Sequence, residues 1–212
     1  MKLYNFFRSG TSHRLRIVMQ LKGLAADYMA VNLTRNEHLE AAFKALNPQA
    51  LVPALEVDGK VLIQSPAIIE WLEEKYPEPA LLPRDVDDRA RVRALAAIVG
   101  CDIHPINNKR VLDYLRNNFS CDTPAVKAWA GTWIHAGFQA YEAMLGADLQ
   151  RGRFSFGDSP TLADAYLVAQ IESSRRFDVD LSGYPRIRAV DDACAKLDAF
   201  VRAHPKQQTD AT

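Results

Sequence analysis

Hydrophobic positions in the first 76 residues alternate between strand-like and helix-like spacing. Short apolar runs predict strands, and longer stretches with apolar residues three or four apart predict helices. Asp58-Gly59 separates two of the strands and is a strong signal for a hairpin turn. The predicted strands are residues 2–6, 27–31, 54–57 and 61–63, and the predicted helices are residues 13–22, 37–46 and 65–76. This half of the chain therefore follows the order βαβ–α–ββα.

The pattern changes after the closely spaced prolines Pro77, Pro79 and Pro83. Such a proline-rich stretch predicts a stiff linker. From residue 87 onward the apolar pattern is helical, and Pro105 is expected to bend or interrupt the first helix. The predicted helices are residues 87–119, 124–145, 162–173 and 185–203, followed by a frayed tail over 205–212. We predict an α/β domain over residues 1–78, a linker over 79–86 and an all-helical domain over 87–212.

The charge balance, the apolar runs and the cysteine spacing argue against three classes of protein: nucleic-acid-binding, membrane-spanning and metal-binding. The 212 residues include 26 basic and 26 acidic side chains, whereas nucleic-acid-binding proteins usually have a basic excess. No apolar run reaches the roughly 20 residues that a membrane-spanning helix needs. Cys101, Cys121 and Cys194 form no CxxC pair, and the five histidines lack metal-site spacing. We therefore expect no nucleic acid, membrane or metal partner, and a cytoplasmic location.

Small hydroxyl residues and arginines are concentrated where the first strand meets the first helix. The stretch FFRSGTSHRLRI, residues 6–17, places Ser9, Thr11 and Ser12 beside Arg8 and contains no cysteine. A helix N-terminus presents unpaired N–H groups and the positive end of a dipole, so it favours an anion. If this junction is an active site, its nucleophile has to come from outside this stretch.

Two further junctions have both a structural and a functional interpretation. Val52-Pro53 leads into a strand. Its proline either simply marks the start of the strand or forms a cis peptide bond. A cis bond would expose the Val52 N–H and C=O to a peptide-like ligand. Ser65 is an N-cap candidate with Pro66 at the first helical position. The same helix start could also bind a carboxylate.

Polar residues in the helical half are open to similar alternatives. Residues 102–110 form a dense polar stretch around Pro105, although a lone histidine such as His104 is more often structural than catalytic. Thr161-x-x-Asp164 fits a capping box, and we interpret both residues as folding determinants.

Together these segments resemble a glutathione transferase of the zeta class, over nearly the whole chain. Val52-Pro53 matches the cis-proline of that family, Gln64-Ser65 its γ-glutamyl site and Thr161-x-x-Asp164 its capping box. The Arg-rich helix start is similar to the class signature, except that Gly10-Thr11 stands where a Ser-Cys pair would be. Further similarities are Asn47-Pro48-Gln49, Gly157-Asp158 and Arg176-Phe177-x-Val179-Asp180-Leu181.

The resemblance implies a fold, a cofactor and a reaction. The implied fold is α/β plus all-α, with a thioredoxin-like glutathione-binding domain followed by a helical substrate domain. The cofactor is glutathione, a homodimer is expected, and the reaction is cis–trans isomerisation of the dicarboxylate maleylpyruvate or maleylacetoacetate. The stretch from His104 to Asn108 also resembles the bacterial maleylpyruvate isomerases of gentisate breakdown, which favours maleylpyruvate.

The resemblance also implies residue roles. Ser9 is expected to be the main hydrogen-bond donor to the glutathione thiolate, assisted by Thr11. Arg8 and Arg176 are expected to bind substrate carboxylates, with Arg110 as a further candidate, because a guanidinium matches a carboxylate bidentately. The other expected glutathione contacts are Gly10, His38, Gln49, Val52, Gln64, Ser65, Asp102, His104 and Asn108.

The expected mechanism is addition of the thiolate to the cis double bond, rotation about the resulting single bond, and elimination to the trans product. A free thiol has a pKa of about 8.5, so the protein has to lower that value. Three alternatives remain: a transferase that conjugates electrophiles, a dehalogenase of the dichloroacetate type, and a binding or chaperone protein without turnover. Conjugation consumes glutathione, whereas isomerisation returns it.

Overall fold

The computed structural model describes residues 1–147 and 152–211. The chain divides into two compact units. Unit 1 contains Met1–Ala80 together with Lys196–Thr212, and unit 2 contains Leu81–Ala195. The sequence pattern assigns the last residues to the helical domain, whereas the structure returns them to the first unit. Periodicity shows that a helix has an apolar face but does not show which unit that face packs against.

The strands of unit 1 form one mixed sheet. They are β1 (Lys2–Asn5), β2 (Asp27–Ala30), β3 (Ala54–Val57) and β4 (Lys60–Ile63). β1 pairs parallel with β2 and antiparallel with β3, and β3 pairs antiparallel with β4. The order is therefore β2-β1-β3-β4. Asp58 and Gly59 both have positive φ, 50° and 76°, as a two-residue type I′ hairpin requires. The predicted strands and hairpin are confirmed.

The helices of the first 80 residues are α1 (Gly10–Leu21), α2 (Ala41–Leu46) and α3 (Ser65–Lys75). α1 begins ahead of its predicted start at residue 13, because Ser9 caps it. The prediction of one continuous helix over residues 37–46 is wrong. Glu37–Leu39 forms a 3₁₀ turn, and Glu40 is extended (φ −68°, ψ 150°) before α2 begins.

Unit 2 is helical in the residues that are described. Its α-helices are α4 (Val86–Ala97), α5 (Lys109–Phe119), α6 (Thr123–Ala147), α7 (Leu162–Arg175) and α8 (Pro185–Cys194). Between α4 and α5 lie a π-helical stretch, Ile98–Ile103, and a 3₁₀ turn, Pro105–Asn107, so the predicted interruption at Pro105 is confirmed. Across residues 1–147 and 152–211, no helix is long and apolar enough to cross a membrane.

A buried polar network fixes the start of α7. The carboxylate of Asp164 accepts the N–H of Ser155 at 2.8 Å and the N–H and hydroxyl of Thr161 at 2.7 and 3.0 Å. Asp164 is fully buried, so these bonds replace its hydration. These contacts support the folding role predicted for Thr161 and Asp164.

The C-terminal segment returns to unit 1 through α9 (Asp198–Ala203), which packs against α1. The prediction of one helix over residues 185–203 is wrong, because the chain leaves the helix after α8 and Leu197 is extended (φ −97°, ψ 127°). The predicted fraying of the tail also differs from the structure. Pro205–Gln207 forms a 3₁₀ turn, and the following residues to 211 make specific contacts described below; Thr212 lies outside the described residues.

Candidate active site

The predicted hydroxyl cluster lies at the N-terminus of α1. Ser9 is the cap residue, with an extended backbone (φ −71°, ψ 122°), and its Oγ accepts the N–H of Ser12 at 3.3 Å. Ser9 Oγ lies 2.8 Å from Thr11 Oγ1, and Thr11 Oγ1 lies 2.9 Å from the backbone oxygen of Val52. The fold therefore brings the start of α1 and the Val52-Pro53 loop together.

Counting protons fixes the direction of this hydrogen-bonded chain. A threonine hydroxyl has one proton, and Thr11 donates it to the Val52 carbonyl, which can only accept. The 2.8 Å contact between the hydroxyls therefore uses the proton of Ser9, with Thr11 Oγ1 as acceptor. Ser9 thus has a half-buried hydroxyl whose proton can turn toward a ligand while its oxygen keeps the Ser12 N–H.

The Val52–Pro53 peptide bond is cis, as in the functional interpretation of this junction. Val52 is 7% exposed, and its carbonyl already accepts the Thr11 hydroxyl. One of the two Val52 backbone groups expected to face a ligand therefore already has a protein partner, and its carbonyl oxygen can still accept a second bond.

Gln49 and Gln64 lie side by side at the surface of unit 1. The Nε2 of Gln64 donates to the Oε1 of Gln49 at 2.5 Å. Gln64 has a positive φ of 68°, which is uncommon for a residue with a side chain, and it immediately precedes α3. The structure therefore joins two of the predicted glutathione contacts that are distant in the sequence.

Ser65 has a different local role from the one predicted. It is the first residue of α3 instead of its cap, and its side chain is buried at 2% exposure. Its Oγ accepts two hydrogen bonds from Arg14, from Nε at 3.0 Å and Nη2 at 2.8 Å. Because both bonds occupy oxygen lone pairs, the hydroxyl proton of Ser65 remains available for donation to a ligand.

Sequence reasoning missed Arg14. Its side chain is buried at 4% exposure on α1, and its guanidinium places a positive charge directly behind the Ser65 hydroxyl. A buried arginine is rare without a specific partner. The sequence carried a signal, because Arg14 stands beside the apolar residues Leu15, Ile17 and Val18 in the predicted helix.

Of the remaining predicted residues of unit 1, Arg8 and Gly10 flank Ser9 in the chain, whereas His38 lies in a separate turn. Gly10 is the buried first residue of α1, and Arg8 is exposed immediately before the Ser9 cap. His38 is half-buried in the 3₁₀ turn Glu37–Leu39. Arg8 therefore adjoins the hydroxyl cluster and can reach a ligand from the solvent side.

The polar stretch of unit 2 lies where the helix changes type. Asp102 is exposed within the π-helical stretch, and the His104 N–H donates to the Val99 oxygen at 2.9 Å in the π-helical manner. Asn108 caps α5, because its Oδ1 accepts the N–H of Arg110 at 3.2 Å. π-helical insertions are frequent at functional sites. The Oδ1 of Asn108 thus caps α5, and its Nδ2 can donate a hydrogen bond to a ligand.

Two neighbouring arginines lie at the end of α7. Arg175 forms ion pairs with Glu172 at 2.5 Å and Asp191 at 2.8 Å, which hold it to unit 2. Arg176 is the exposed C-cap residue of α7. Arg110 is also exposed, in the first turn of α5. The two ion pairs of Arg175 give that residue a structural role within unit 2.

The cysteines do not belong to the unit that holds the hydroxyl cluster. Unit 1 has none in its sequence, and Cys101, Cys121 and Cys194 all belong to unit 2. Burial raises the pKa of the Cys194 thiol, so this group stays neutral. In the described part of the chain, no three His, Cys, Asp or Glu side chains form a group that could hold a metal. Unit 1 therefore has hydroxyl donors suited to a thiolate but no thiol.

Comparison with known proteins identifies the family. Residues 3–80 match the N-terminal domain of glutathione S-transferases. Over full length the chain is 69% identical to a maleylpyruvate isomerase from a Ralstonia species, with 100% of each chain covered. A solved structure of a maleylpyruvate isomerase, described as a bacterial zeta-class glutathione transferase, has 69% identity and a TM-score of 0.99 over 100% of both chains. This chain belongs to the zeta class of glutathione transferases.

A second solved structure broadens the comparison for this zeta-class transferase. Maleylacetoacetate isomerase from Methylobacterium extorquens, with bound malonate and glutathione, is 34% identical and has a TM-score of 0.96 over 100% of both chains. The fold implied by the sequence, a thioredoxin-like domain followed by a helical one, is confirmed for this zeta-class transferase.

Proposed function

We propose that this zeta-class transferase converts maleylpyruvate into fumarylpyruvate by glutathione-dependent cis–trans isomerisation, a step in the breakdown of gentisate. The observation that carries the proposal is the Ser9–Thr11 hydroxyl pair at the start of α1, in a unit without a cysteine. Such a site can stabilise a thiolate but cannot supply one. The 69% identity to an enzyme named maleylpyruvate isomerase supports the choice of substrate.

The donors of unit 1 fit glutathione. Ser65, with the Arg14 guanidinium behind its hydroxyl, suits the γ-glutamyl carboxylate, and the Gln49–Gln64 pair adds amide groups beside it. The Val52 backbone suits the cysteinyl peptide group, and Ser9 suits the thiol. When bound, glutathione would supply the thiolate that adds reversibly to the substrate double bond.

Ser9 is proposed to hold that thiolate. Its proton turns from Thr11 toward the sulfur, while its oxygen continues to accept the Ser12 N–H. Hydrogen bonds and positive dipole ends that favour the charged form lower the pKa of a thiol. The chain can therefore raise the thiolate fraction at neutral pH without a separate general base.

Arginines are proposed to bind the two substrate carboxylates. Arg8, Arg110 and Arg176 are exposed, and each can form a bidentate pair with a carboxylate. Positive charge also stabilises the negative charge that develops on the substrate carbonyl during addition. The malonate bound with glutathione in the Methylobacterium enzyme is a dicarboxylate, which supports this class of substrate. The further proposed glutathione contacts are Gly10, His38, Asp102, His104 and Asn108.

Maleylacetoacetate is the second candidate substrate. The Methylobacterium relative is named a maleylacetoacetate isomerase. Maleylacetoacetate, like maleylpyruvate, is a cis dicarboxylate. Comparing kcat/KM for the two compounds on the same preparation decides between them. We expect maleylpyruvate to have the larger value, and a larger value for maleylacetoacetate would transfer the proposal to that substrate.

Thiol titration during turnover tests the reaction type. The protein is mixed with maleylpyruvate and less than one equivalent of glutathione, and substrate loss and total thiol are followed together. Isomerisation should consume all the substrate while the thiol concentration stays constant. Loss of thiol in proportion to substrate would indicate conjugation instead, and binding of glutathione without turnover would indicate a binding protein.

The proposal also includes a homodimer in the cytoplasm. The homodimer is the expectation for the zeta class. The cysteines are present as free thiols in the structure, which suits a reducing compartment where glutathione is available.

A further inference from the structure

The C-terminal strap, residues 203–211, packs against the loop that precedes α1. The backbone oxygen of Ala203 accepts the Arg16 Nε–H at 3.0 Å. The carboxylate of Asp210 accepts the Phe7 N–H at 3.1 Å through Oδ2 and the Tyr28 hydroxyl through Oδ1. All these residues belong to unit 1, although Asp210 is 203 positions from Phe7 in the sequence.

The Phe7 residue is held on both sides. Asp210 accepts its N–H, and Arg16 Nη2 donates to its carbonyl at 3.0 Å. Arg16 Nη1 also donates to Asn5 Oδ1 at 2.9 Å, which links the same guanidinium to the end of β1. The Ser9 N–H then donates to the Phe6 oxygen at 3.0 Å. Hydrogen bonds therefore hold the backbone between the end of β1 and Ser9, and Asp210 of the strap accepts one of them directly.

The charges of Arg16 and Asp210 stabilise the contact between the strap and the Phe7 loop. Arg16 is 5% exposed, and burial lowers the pKa of its guanidinium to about 10, which leaves it positive at neutral pH. Burial and the hydrogen bond to Asp210 raise the pKa of Tyr28, so its phenol stays protonated and remains a donor. Asp210 therefore accepts from a neutral phenol and a backbone N–H, and its negative charge partly offsets the buried cation of Arg16.

Apolar packing adds to the same contact. Phe6 and Phe7 belong to a buried cluster with Val31, Phe43 and Val52, and Ala211 packs partly against this cluster. Val52 is also the residue whose carbonyl accepts the Thr11 hydroxyl. The end of the strap thus contacts the cluster that contains Phe7, two residues before Ser9, and Val52, the hydrogen-bond partner of Thr11.

We propose that Asp210 is a positioning residue for the reaction, because the strap holds Phe7 and thereby sets the position of Arg8 and Ser9. This inference rests on the proposed role of Ser9 as the thiolate donor. A donor displaced by about 1 Å can reduce turnover on the order of 100-fold. Loss of the strap contact should therefore lower kcat and raise the pKa of the bound glutathione thiol.

The test compares Asp210→Ala, Asp210→Asn and Tyr28→Phe with Thr209→Ala, an exposed neighbour that serves as the control. Amide hydrogen exchange at Phe7 reports the strap contact itself. Ultraviolet titration of enzyme-bound glutathione reports the thiol pKa, and steady-state kinetics separate kcat from KM. Tyr28→Phe keeps the Asp210–Phe7 bond and provides a milder variant if Asp210→Ala fails to fold.

For Asp210→Ala we expect faster Phe7 amide exchange, a raised thiol pKa and a kcat loss on the order of 10- to 100-fold with little change in the KM for glutathione. Asp210→Asn and Tyr28→Phe should show the same changes to a smaller degree. Unchanged Phe7 amide exchange in all three variants would contradict the proposal that Asp210 holds the Phe7 N–H. Faster exchange with unchanged kcat and thiol pKa would reduce the strap to a structural role.

Ser9→Ala is measured in parallel to separate the two proposals. If Ser9→Ala leaves the thiol pKa unchanged, the proposed role of Ser9 fails, whereas Phe7 exchange in Asp210→Ala still reports on the strap. If Ser9→Ala raises the thiol pKa and Asp210→Ala does not, the thiolate site stands and the positioning role is contradicted.

Discussion

At the scale of single residues, the proton of the Ser9 hydroxyl has an acceptor in the structure and would gain a second one in a bound glutathione thiolate. In the structure it is given to Thr11 Oγ1. A thiolate is the better acceptor, because a hydrogen bond to an ionised group is roughly twice as strong as a neutral one. Thr11 keeps its own bond to the Val52 carbonyl in either case. Ser9 is therefore the donor that changes partner, and Thr11 is the residue that keeps the loop in place.

Ser9→Ala and Thr11→Val separate these roles. Ser9→Ala should lower kcat about 100-fold, the usual effect of removing one donor to a reacting anion. Thr11→Val keeps the shape and the backbone N–H, so its loss should be smaller. Both variants are assayed for kcat and for thiolate absorbance of bound glutathione. A larger loss in Thr11→Val than in Ser9→Ala would make Thr11 the donor.

Arg14→Gln should weaken glutathione binding through Ser65. A hydrogen bond to a charged group contributes about 1.5–3 kcal/mol, which corresponds to a rise in KM for glutathione on the order of 10- to 100-fold. The effect on kcat should be small, because the thiol is not involved. Arg14→Lys should restore part of the affinity, and exposed Lys60→Gln is the charge control.

A glutathione analogue that lacks the γ-glutamyl α-carboxylate completes the Arg14 experiment. If the guanidinium acts on that carboxylate, the wild type and Arg14→Gln should bind the analogue almost equally. An undiminished difference with the analogue would show that Arg14 acts by some other route, such as stability of α1, which thermal unfolding of both proteins would reveal.

The sequence pointed to Ser9, Thr11 and Ser65 because hydroxyl residues at helix starts have a local signature. It did not point to the Arg14–Ser65 pair, because these residues are separated by 51 positions and only the packing of α1 on α3 brings them together. The resemblance supplied Arg8, Arg110 and Arg176, whereas the ion pairs of Arg175 with Glu172 and Asp191 became visible only in the structure.

At the scale of elements, side-chain caps fix where three of the helices begin. α1 depends on the Ser9 cap, α5 on the Asn108 cap and α7 on the network around Asp164. The first two caps are also candidate ligand groups, whereas the third is fully buried. Asp164 is therefore the cap whose removal should affect stability without affecting chemistry.

Asp164→Ala should destabilise the protein by roughly 3–5 kcal/mol, because it leaves three buried donors without their acceptor. Asp164→Asn keeps one acceptor oxygen and should lose less. Exposed Asp192→Ala on α8 is the matched control and should have little effect. Urea unfolding measures the change, and kcat below the unfolding transition should stay normal. A large kcat loss in folded Asp164→Asn would contradict the purely structural role.

Element boundaries were predictable where local signals exist and not elsewhere. The Asp58-Gly59 hairpin and the interruption at Pro105 follow from backbone chemistry that the residue types impose. The breaks at Glu40 and Leu197 were missed, because neither residue is a glycine or a proline and both are simply held in extended conformations by their surroundings.

At the scale of the whole molecule, the change from alternating to purely helical periodicity predicted an α/β unit followed by a helical one. The return of the C-terminal segment to unit 1 was not predictable, because it depends on the contacts of Ala203 with Arg16 and of Asp210 with Phe7, which are distant in the sequence. The cysteines, all in unit 2, leave the Ser9 site without a thiol in its own unit. Activity is therefore expected to depend wholly on added glutathione.

The most direct test replaces glutathione with an analogue in which alanine stands for cysteine. The analogue keeps the carboxylates and peptide groups, so it should compete with glutathione for the site, but it carries no thiol. We predict that maleylpyruvate is isomerised rapidly with glutathione and only at the uncatalysed rate with the analogue. Rapid isomerisation in the presence of the analogue alone would show that the chain supplies its own nucleophile and would contradict the account.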